Sequence, residues 1–493
     1  MASQVVLPEL PGHRPFLATR RGKLTLAFLC MVGFLDFVDA SIVNVALPTV
    51  RRDLHFSVQS LQWVLSGYLL TYGGFMLLGG RAADLLGRRR LLVAGMTLFA
   101  LSSLTGGLAN DSATLIAARL TQGFGAAMML PATLSILTTT FPEGRDRNTA
   151  LGAWGAIAGL ASAVGVFLGG VLSEDVGWRW VLWVNLPVCA VLLVATFRII
   201  SGERPAQPVR NFDARGAVLA TAGMLLLIYT LVNAPTLGWG TPRTIGGLLG
   251  AGALLGGFLV NERRDPNPLV PLSVFRIPGL AAADATQVIA MAGFYSMFFF
   301  LTLYMQNVLG FSQIQAGAAY LPATLGVAMA SGIASQLFAR IGTRPIIVAG
   351  ALVSAGAVFW LSRIPVGGSY PTDLLPGLVI MSFGLGFVFV GVNTAANAGV
   401  PPDKAGLAAA LVNTSTWLGG ALGLAIFSVI ATTRTQHLLS AHASQPDALT
   451  SGFRRALVAC SVFLIAAALI ALRATNTRGE PTLTETTVAF EEA

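Results

Sequence analysis

Charged residues are scarce in this chain. Asp, Glu, Lys and Arg make up 11% of its 493 residues while 54% are hydrophobic, against about 25% charged in an ordinary soluble domain. Water cannot be the main solvent for such a fold, and no soluble domain of useful size remains once the apolar runs are set aside. Cysteine is nearly absent. Cys30, Cys189 and Cys460 lie far apart in apolar runs, which leaves neither a framework of paired cysteines nor metal-ligand spacing. The four histidines, His13, His55, His437 and His442, fall in tails or loops and form no metal-spaced set. A Gly-Lys-Ser/Thr phosphate loop is missing, so ATP-driven pumping has no support, and no filter or ring motif of a channel repeats. With no catalytic constellation either, neither enzymatic activity, a bound metal nor a cofactor is expected.

What the sequence offers instead is apolar runs, each near the ~20 residues that a bilayer span needs. We read fourteen, the first beginning near Leu24 and the last near Phe453. The fold class expected is therefore an all-α polytopic membrane protein. An even number of spans puts both termini on one side, and most Lys and Arg fall in the loops of that side, so both termini are expected in the cytoplasm. The net charge of +9 is carried by Arg clusters in these loops, where topology and anionic lipid account for it; nucleic acid is not an expected partner. The first apolar run continues into Asn44-Val45-Ala46-Leu47-Pro48 without a cleavage site, so no removable signal peptide is read.

Two polar segments break the rhythm: Ser201 to Arg215, with Pro205 and Pro208, and Asn261 to Pro278, with Arg263, Arg264, Pro266, Pro268, Pro271 and Arg276. They divide the chain six, two, six: a bundle over 1–200, two linking transmembrane helices with their loops over 201–280, a second bundle over 281–475, and a polar tail over 476–493 that is too hydrophilic to pack and should be dispensable. The two sixes echo each other. After the second span of the first stands Gly80-Arg81-Ala82-Ala83-Asp84-Leu85-Leu86-Gly87-Arg88-Arg89-Arg90; in the second stands Ser335-Gln336-Leu337-Phe338-Ala339-Arg340-Ile341-Gly342-Thr343-Arg344-Pro345. Gly87 aligns with Gly342 and Arg89 with Arg344. In the fourth spans Gly123-Phe124-Gly125 is matched to Gly384-Leu385-Gly386. Duplicated six-helix halves around a midplane site are an architecture of secondary transporters.

Five segments in order carry a resemblance to a known family. They are Asp39 to Pro48 in the first span, Gly80 to Arg90 after the second, Arg119-Leu120-Thr121-Gln122-Gly123-Phe124-Gly125 in the fourth, Trp178-Arg179-Trp180 with Asn185 and Pro187 at the sixth, and Pro268 to Arg276 before the first span of the second bundle. Over essentially its whole length the chain resembles the major facilitator superfamily, and within it the fourteen-span drug:proton antiporter branch of the EmrB/QacA type. The resemblance implies export of drugs, antibiotics or other small amphipathic molecules in exchange for protons by alternating access. It also implies a place in a bacterial cell (inner) membrane, with a small-molecule substrate, protons and the lipid bilayer as partners. The protein is expected to work as a monomer. One departure stands in the fifth span, where Gly165-Val166-Phe167-Leu168-Gly169-Gly170 lacks the proline such antiporters carry; its glycines still permit close packing and bending.

Ionisable groups inside spans are costly and are functional candidates by default. Asp36 and Asp39, three apart, share a helical face, and Asp39 and Arg119 lie at similar depth. If the first and fourth spans face one cavity, as the resemblance implies, Arg119 can hold Asp39 ionised and leave Asp36 to exchange a proton. The alternatives are that Asp39 bonds backbone or Asn44, that Arg119 snorkels to the headgroups, and that Asp36 sits in a solvated cavity. Asp284, just after Pro278-Gly279, reads as an interfacial helix-end residue. In the loop motif Asp84 can accept charge-assisted hydrogen bonds from Arg88 and Arg89, with Gly80 and Gly87 giving close approach and a tight turn; by resemblance this is a gate, and otherwise the arginines only set topology. Asn44, Trp63, Tyr68, Tyr295 and Asn393 are cavity candidates, among other aromatic and soft residues that include Tyr72. Uptake or facilitated diffusion of a small metabolite, and a receptor or sensor on a transporter scaffold, are the competing functions.

Overall fold

Long apolar stretches with few breakers give long helices, several of them closed at the start by a side chain that accepts an orphan backbone N–H group. Thr19, Asp111, Thr241, Ser312 and Ser444 all cap in this way. The computed structural model describes residues 16–141, 145–200, 213–266, 268–398, 400 and 405–478, so the polar segment 201–212 and the tail from 479 lie outside the described residues. No strand occurs among those described. The long helices are α1 (Arg20–Asp53), α2 (Trp63–Leu86), α3 (Arg88–Gly107), α4 (Ser112–Thr140), α5 (Arg145–Asp175), α6 (Trp180–Ile199), α7 (Ala214–Leu237), α8 (Pro242–Arg264), α9 (Leu280–Asn307), α10 (Gln313–Phe338), α11 (Thr343–Leu361), α12 (Tyr370–Asn397), α13 (Ala405–Ser440) and α14 (Gln445–Ala471).

Twelve of these, among the described residues, are long and apolar enough to cross a membrane. The expectation of fourteen spans is not met by that measure. The two that fall out are α2 and α5. In α2 the apolar character is diluted by Ser66, Tyr68, Thr71, Tyr72 and the glycines 73, 74, 79 and 80, and several side chains of α5 lie outside those described. Helices that pack against other helices on most sides trade large apolar side chains for small and polar ones.

Packing follows one pattern twice. In the first six helices α1 packs on α5 and α6, α4 on α2 and α3, and α3 on α6; in the last six α9 packs on α13 and α14, α12 on α10 and α11, and α11 on α14. The bundles meet along two seams, α2 against α13 and α5 against α10. Helices α7 and α8 pack on each other and dock through α7 onto α2 and α13, beside one seam only. Glu262 at the end of α8 accepts from the Val270 backbone, and Asn261 donates to Asp213 at the start of α7, which ties the pair to the segment leading into α9.

The glycine crossings fix the register between the halves. A Cβ on Gly95 would stand 2.9 Å from the Gly125 carbonyl, and one on Gly350 2.8 Å from that of Gly384. The structural counterpart of Gly125 is therefore Gly384, two residues from the match made on sequence, because a Gly-x-Gly pair can be laid on another in two registers. Likewise Gly165 crosses at Val38 and Gly169 at Ile42, as Gly419 does at Val288 and Gly423 at Ala292. Gly87 (φ 96°) and Gly342 (φ 82°) make the matching turns between second and third helices, a conformation that glycine adopts without strain.

Candidate functional site

At the centre of the first bundle is a closed polar network. Arg119 from α4 donates from Nη1 to Asp39 Oδ2 of α1 at 2.8 Å, from the same nitrogen to Gln122 Oε1 at 2.6 Å, and from Nε to the Val64 carbonyl of α2 at 3.0 Å. The other oxygen of Asp39 accepts from Gln122 Nε2 at 2.8 Å and from Asn185 Nδ2 of α6 at 2.6 Å, and both amides also reach Ser103 of α3. Asp39 and Arg119 are fully buried. An ion pair taken out of solvent is sustained only when further hydrogen bonds satisfy both partners. Here five of the six helices contribute them, and only Arg119 Nη2 is left without a partner.

One turn away on the same face of α1, Asp36 is held differently. Its two oxygens accept from the hydroxyls of Tyr68 and Tyr72, both on α2. The Tyr68 ring lies under the Arg119 guanidinium, 4.2 Å from its carbon, so this one phenol touches both the pair and the second carboxylate. Tyr72 stacks on Trp417 of α13 with centroids 4.3 Å apart, and Tyr295 of α9 lies 6.2 Å from Trp417. The buried carboxylate is thus connected, through a phenol that binds it, to an aromatic pair on the opposite bundle. The Trp417 indole N–H has no partner.

Four hydrogen bonds between the bundles gather at the face opposite the one where α1 begins. Asn44 donates to Thr302 at 3.1 Å, Gln306 to the Val45 carbonyl at 2.8 Å, Gln313 to Thr49 at 2.7 Å, and the Ile314 backbone to Glu174 at 2.9 Å. Gly170 lies in the same seam, where a Cβ would stand 2.6 Å from the Gln313 carbonyl. That face is shut.

A family model described as Major Facilitator Superfamily matches residues 29–424. The chain belongs to that superfamily. Among curated relatives, the puromycin resistance protein pur8 of Streptomyces alboniger is 37% identical over 87% of this chain and 85% of its own, and the cephamycin export protein CmcT of Amycolatopsis lactamdurans is 38% identical over 92% of each. Among solved structures, a bacterial homologue of the human lysosomal transporter Spinster in an inward-facing, occupied conformation superposes with a TM-score of 0.68 at 15% identity, over 92% of this chain and 97% of that one. The xylose transporter XylE from E. coli gives 0.62 at 13% identity, over 95% and 99%. At such identities these two share the fold. A multi-pass membrane protein of the superfamily is what the helices and the relatives together establish.

The remaining candidate residues sort by position within this superfamily fold. Asn44 and Trp63 are nearly buried, and Asn44 Oδ1 has no partner. Asn393 is not brought to the site: its amide donates to the Phe389 carbonyl of its own helix at 2.7 Å. In the loop motif Gly80 has only Pro131 near its Cβ position, at 3.7 Å. Arg88 donates to Thr139 of α4 at 2.8 Å, and Arg89 lies 4.9 Å over the Phe197 ring of α6. The side chain of Asp84 lies outside the described residues. Four residues of the network, Gln122, Asn185, Ser103 and Trp417, were not among the candidates. Gln122 and Asn185 stood inside the matched motifs, which was a usable signal; Ser103 and Trp417 had none.

Proposed function

We propose that this protein is a drug exporter that moves small amphipathic molecules out of a bacterial cell in exchange for protons, crossing the membrane fourteen times, with α2 and α5 alongside the twelve apolar helices. The division into two bundles (1–200 and 281–475) joined by 201–280, monomeric function, and termini in the cytoplasm belong to the same reading. The names of the relatives support export of antibiotics. The observation that carries the mechanism is Tyr72, which donates to Asp36 and stacks on Trp417 across the seam between the bundles.

Rocking one bundle against the other must break or slide that stack. With Tyr72 displaced, Asp36 loses a donor and needs another, either a proton or a positively charged substrate group. Asp39 keeps its charge because Arg119, Gln122 and Asn185 move with it as one bundle. Asp36 is then the exchangeable carboxylate and Asp39 the fixed one. If termini are cytoplasmic, the shut face is the outer one, and the site loads from inside. One charge moved through 100 mV is worth about 2.3 kcal/mol, a concentration ratio of about 50 for a neutral substrate. One proton is therefore enough to drive useful export. Asp84 with Arg88 and Arg89, in this reading, latches the cytoplasmic end when the transporter opens outward.

Everted membrane vesicles energised by respiration provide the test. Ethidium uptake that collapses on adding a protonophore supports proton-driven export; uptake that equilibrates without regard to the proton gradient would instead favour facilitated diffusion.

A further inference from the structure

Among its described residues the second bundle contains one buried carboxylate that the proposed mechanism does not use. Asp284, near the start of α9, is 6% exposed. By the glycine register Val288 corresponds to Val38, which places Asp284 within about 3 Å, along the helix axis, of the level of Asp36. Its Oδ1 has Ser415 of α13 at 3.5 Å, and its Oδ2 has no partner. No described residue forms an ion pair with it. One turn on, sharing that face of α9, Gln287 is fully buried; its amide nitrogen donates to Thr416 at 2.8 Å while Oε1 has no partner. Two buried acceptors three residues apart thus lack donors, each a costly arrangement. A proton on Oδ2 supplies a single O–H donor, which can bond Gln287 Oε1 and leaves the pair neutral. An ammonium group, with three N–H donors and a positive charge, can serve both at once.

We propose that Asp284 and Gln287 form a second acceptor site, on the second bundle, for the protonated amine of a cationic substrate. Ser415 is two residues from Trp417, so the site lies within a turn of the seam at which Tyr72 stacks. A part for this site in the transport sequence rests on the export reading, whereas binding itself does not.

The test uses the purified full-length chain in detergent and two fluorescent probes, dansylcadaverine, which carries a primary ammonium, and its trimethylammonium analogue, of equal charge without donors. In an Asp36→Asn background the primary ammonium should bind about fivefold or more tighter than the analogue. Asp284→Asn added to that background should abolish the preference, Gln287→Leu should reduce it, and Asp284→Glu should retain it with an unchanged melting temperature. A preference that is missing with Asp284 intact, or that survives Asp284→Asn, overturns the site. So does loss of binding in Asp284→Glu together with a matching fall in melting temperature, which marks a structural role. Loss of proton flux with the preference intact would strike the antiport reading and leave this site standing.

Discussion

The two bundles repeat one packing plan and differ in what they place at its centre. The register set by the glycine crossings puts Thr286 of α9 where α1 has Asp36, and Ile289 where it has Asp39; Leu378 and Met381 of α12 stand where α4 has Arg119 and Gln122, and Val358 of α11 where α3 has Ser103. Thr286, Leu378, Met381 and Val358 are all fully buried. Small residues at crossings are needed wherever the helices pass closely, so both halves keep them. The buried ion pair stands in the first half, and at the matching positions the second half has uncharged side chains. The first half carries the buried ion pair, and the second supplies Trp417, the ring on which Tyr72 stacks.

The sharpest way to break this comparison is to make the first bundle resemble the second. Arg119→Leu leaves Asp39 buried with its cation removed, and should cost about 3–5 kcal/mol of stability, measured by thermal unfolding in detergent, with transport lost. Converting Asp39 to Ile and Arg119 to Leu together, the residues of the second bundle, should restore much of the stability and none of the transport. Recovery of transport in that double variant would contradict the division of labour.

Next in size are the crossings themselves. Gly169→Val and Gly423→Val each drive a side chain against a carbonyl of the neighbouring helix, Ile42 and Ala292 respectively, and should each cost about 1–3 kcal/mol. Equal losses in the two halves would confirm that the packing plan is shared; a loss in one half alone would refute it. Tyr72→Phe removes one hydroxyl from Asp36 while keeping the stack on Trp417, and should lower transport about tenfold or less, with binding of an aromatic cation nearly unchanged in a fluorescence titration.

The smallest effect is expected at the shut face. Asp111 caps α4 by accepting from the Thr114 backbone at 2.9 Å and its hydroxyl at 2.7 Å, bonds that hold its carboxyl below the ordinary carboxylate range. Its contribution is therefore present above about pH 4 and is lost as pH falls through the lowered value. Asp111→Ala should shift the melting temperature slightly at neutral pH and not at all in strong acid.

The helical class was legible because an apolar run of bilayer length admits almost no other structure. The register of the repeat was not, since Gly123 and Gly125 against Gly384 and Gly386 offer two alignments that only the crossings at Gly95 and Gly350 separate. The count of spans depends on how dilute a run is admitted: α2 is packed on by α4, α13 and α7, and its tyrosines and glycines leave it short of the apolarity that twelve helices reach. Within the site, Asp36, Asp39 and Arg119 stood out because ionisable residues are rare at that depth. Gln122, Asn185 and Ser103 did not, because neutral polar residues in membrane helices more often serve interhelical hydrogen bonds, and here those bonds are what completes the ion pair. The match of Asp284 to the level of Asp36 was not legible either, because it emerges only when Val288 is seen crossing Gly419 as Val38 crosses Gly165.

The central claim is that Asp36 exchanges the proton while Asp39 stays fixed beside Arg119. It is tested most directly in proteoliposomes containing a pH-sensitive dye, with the membrane potential clamped and a gradient of ethidium as the only driving force. The unmodified chain should move protons against the ethidium flux, and Asp36→Asn should abolish that proton movement while keeping its melting temperature. Ethidium-driven proton flux that persists undiminished in Asp36→Asn would contradict the account.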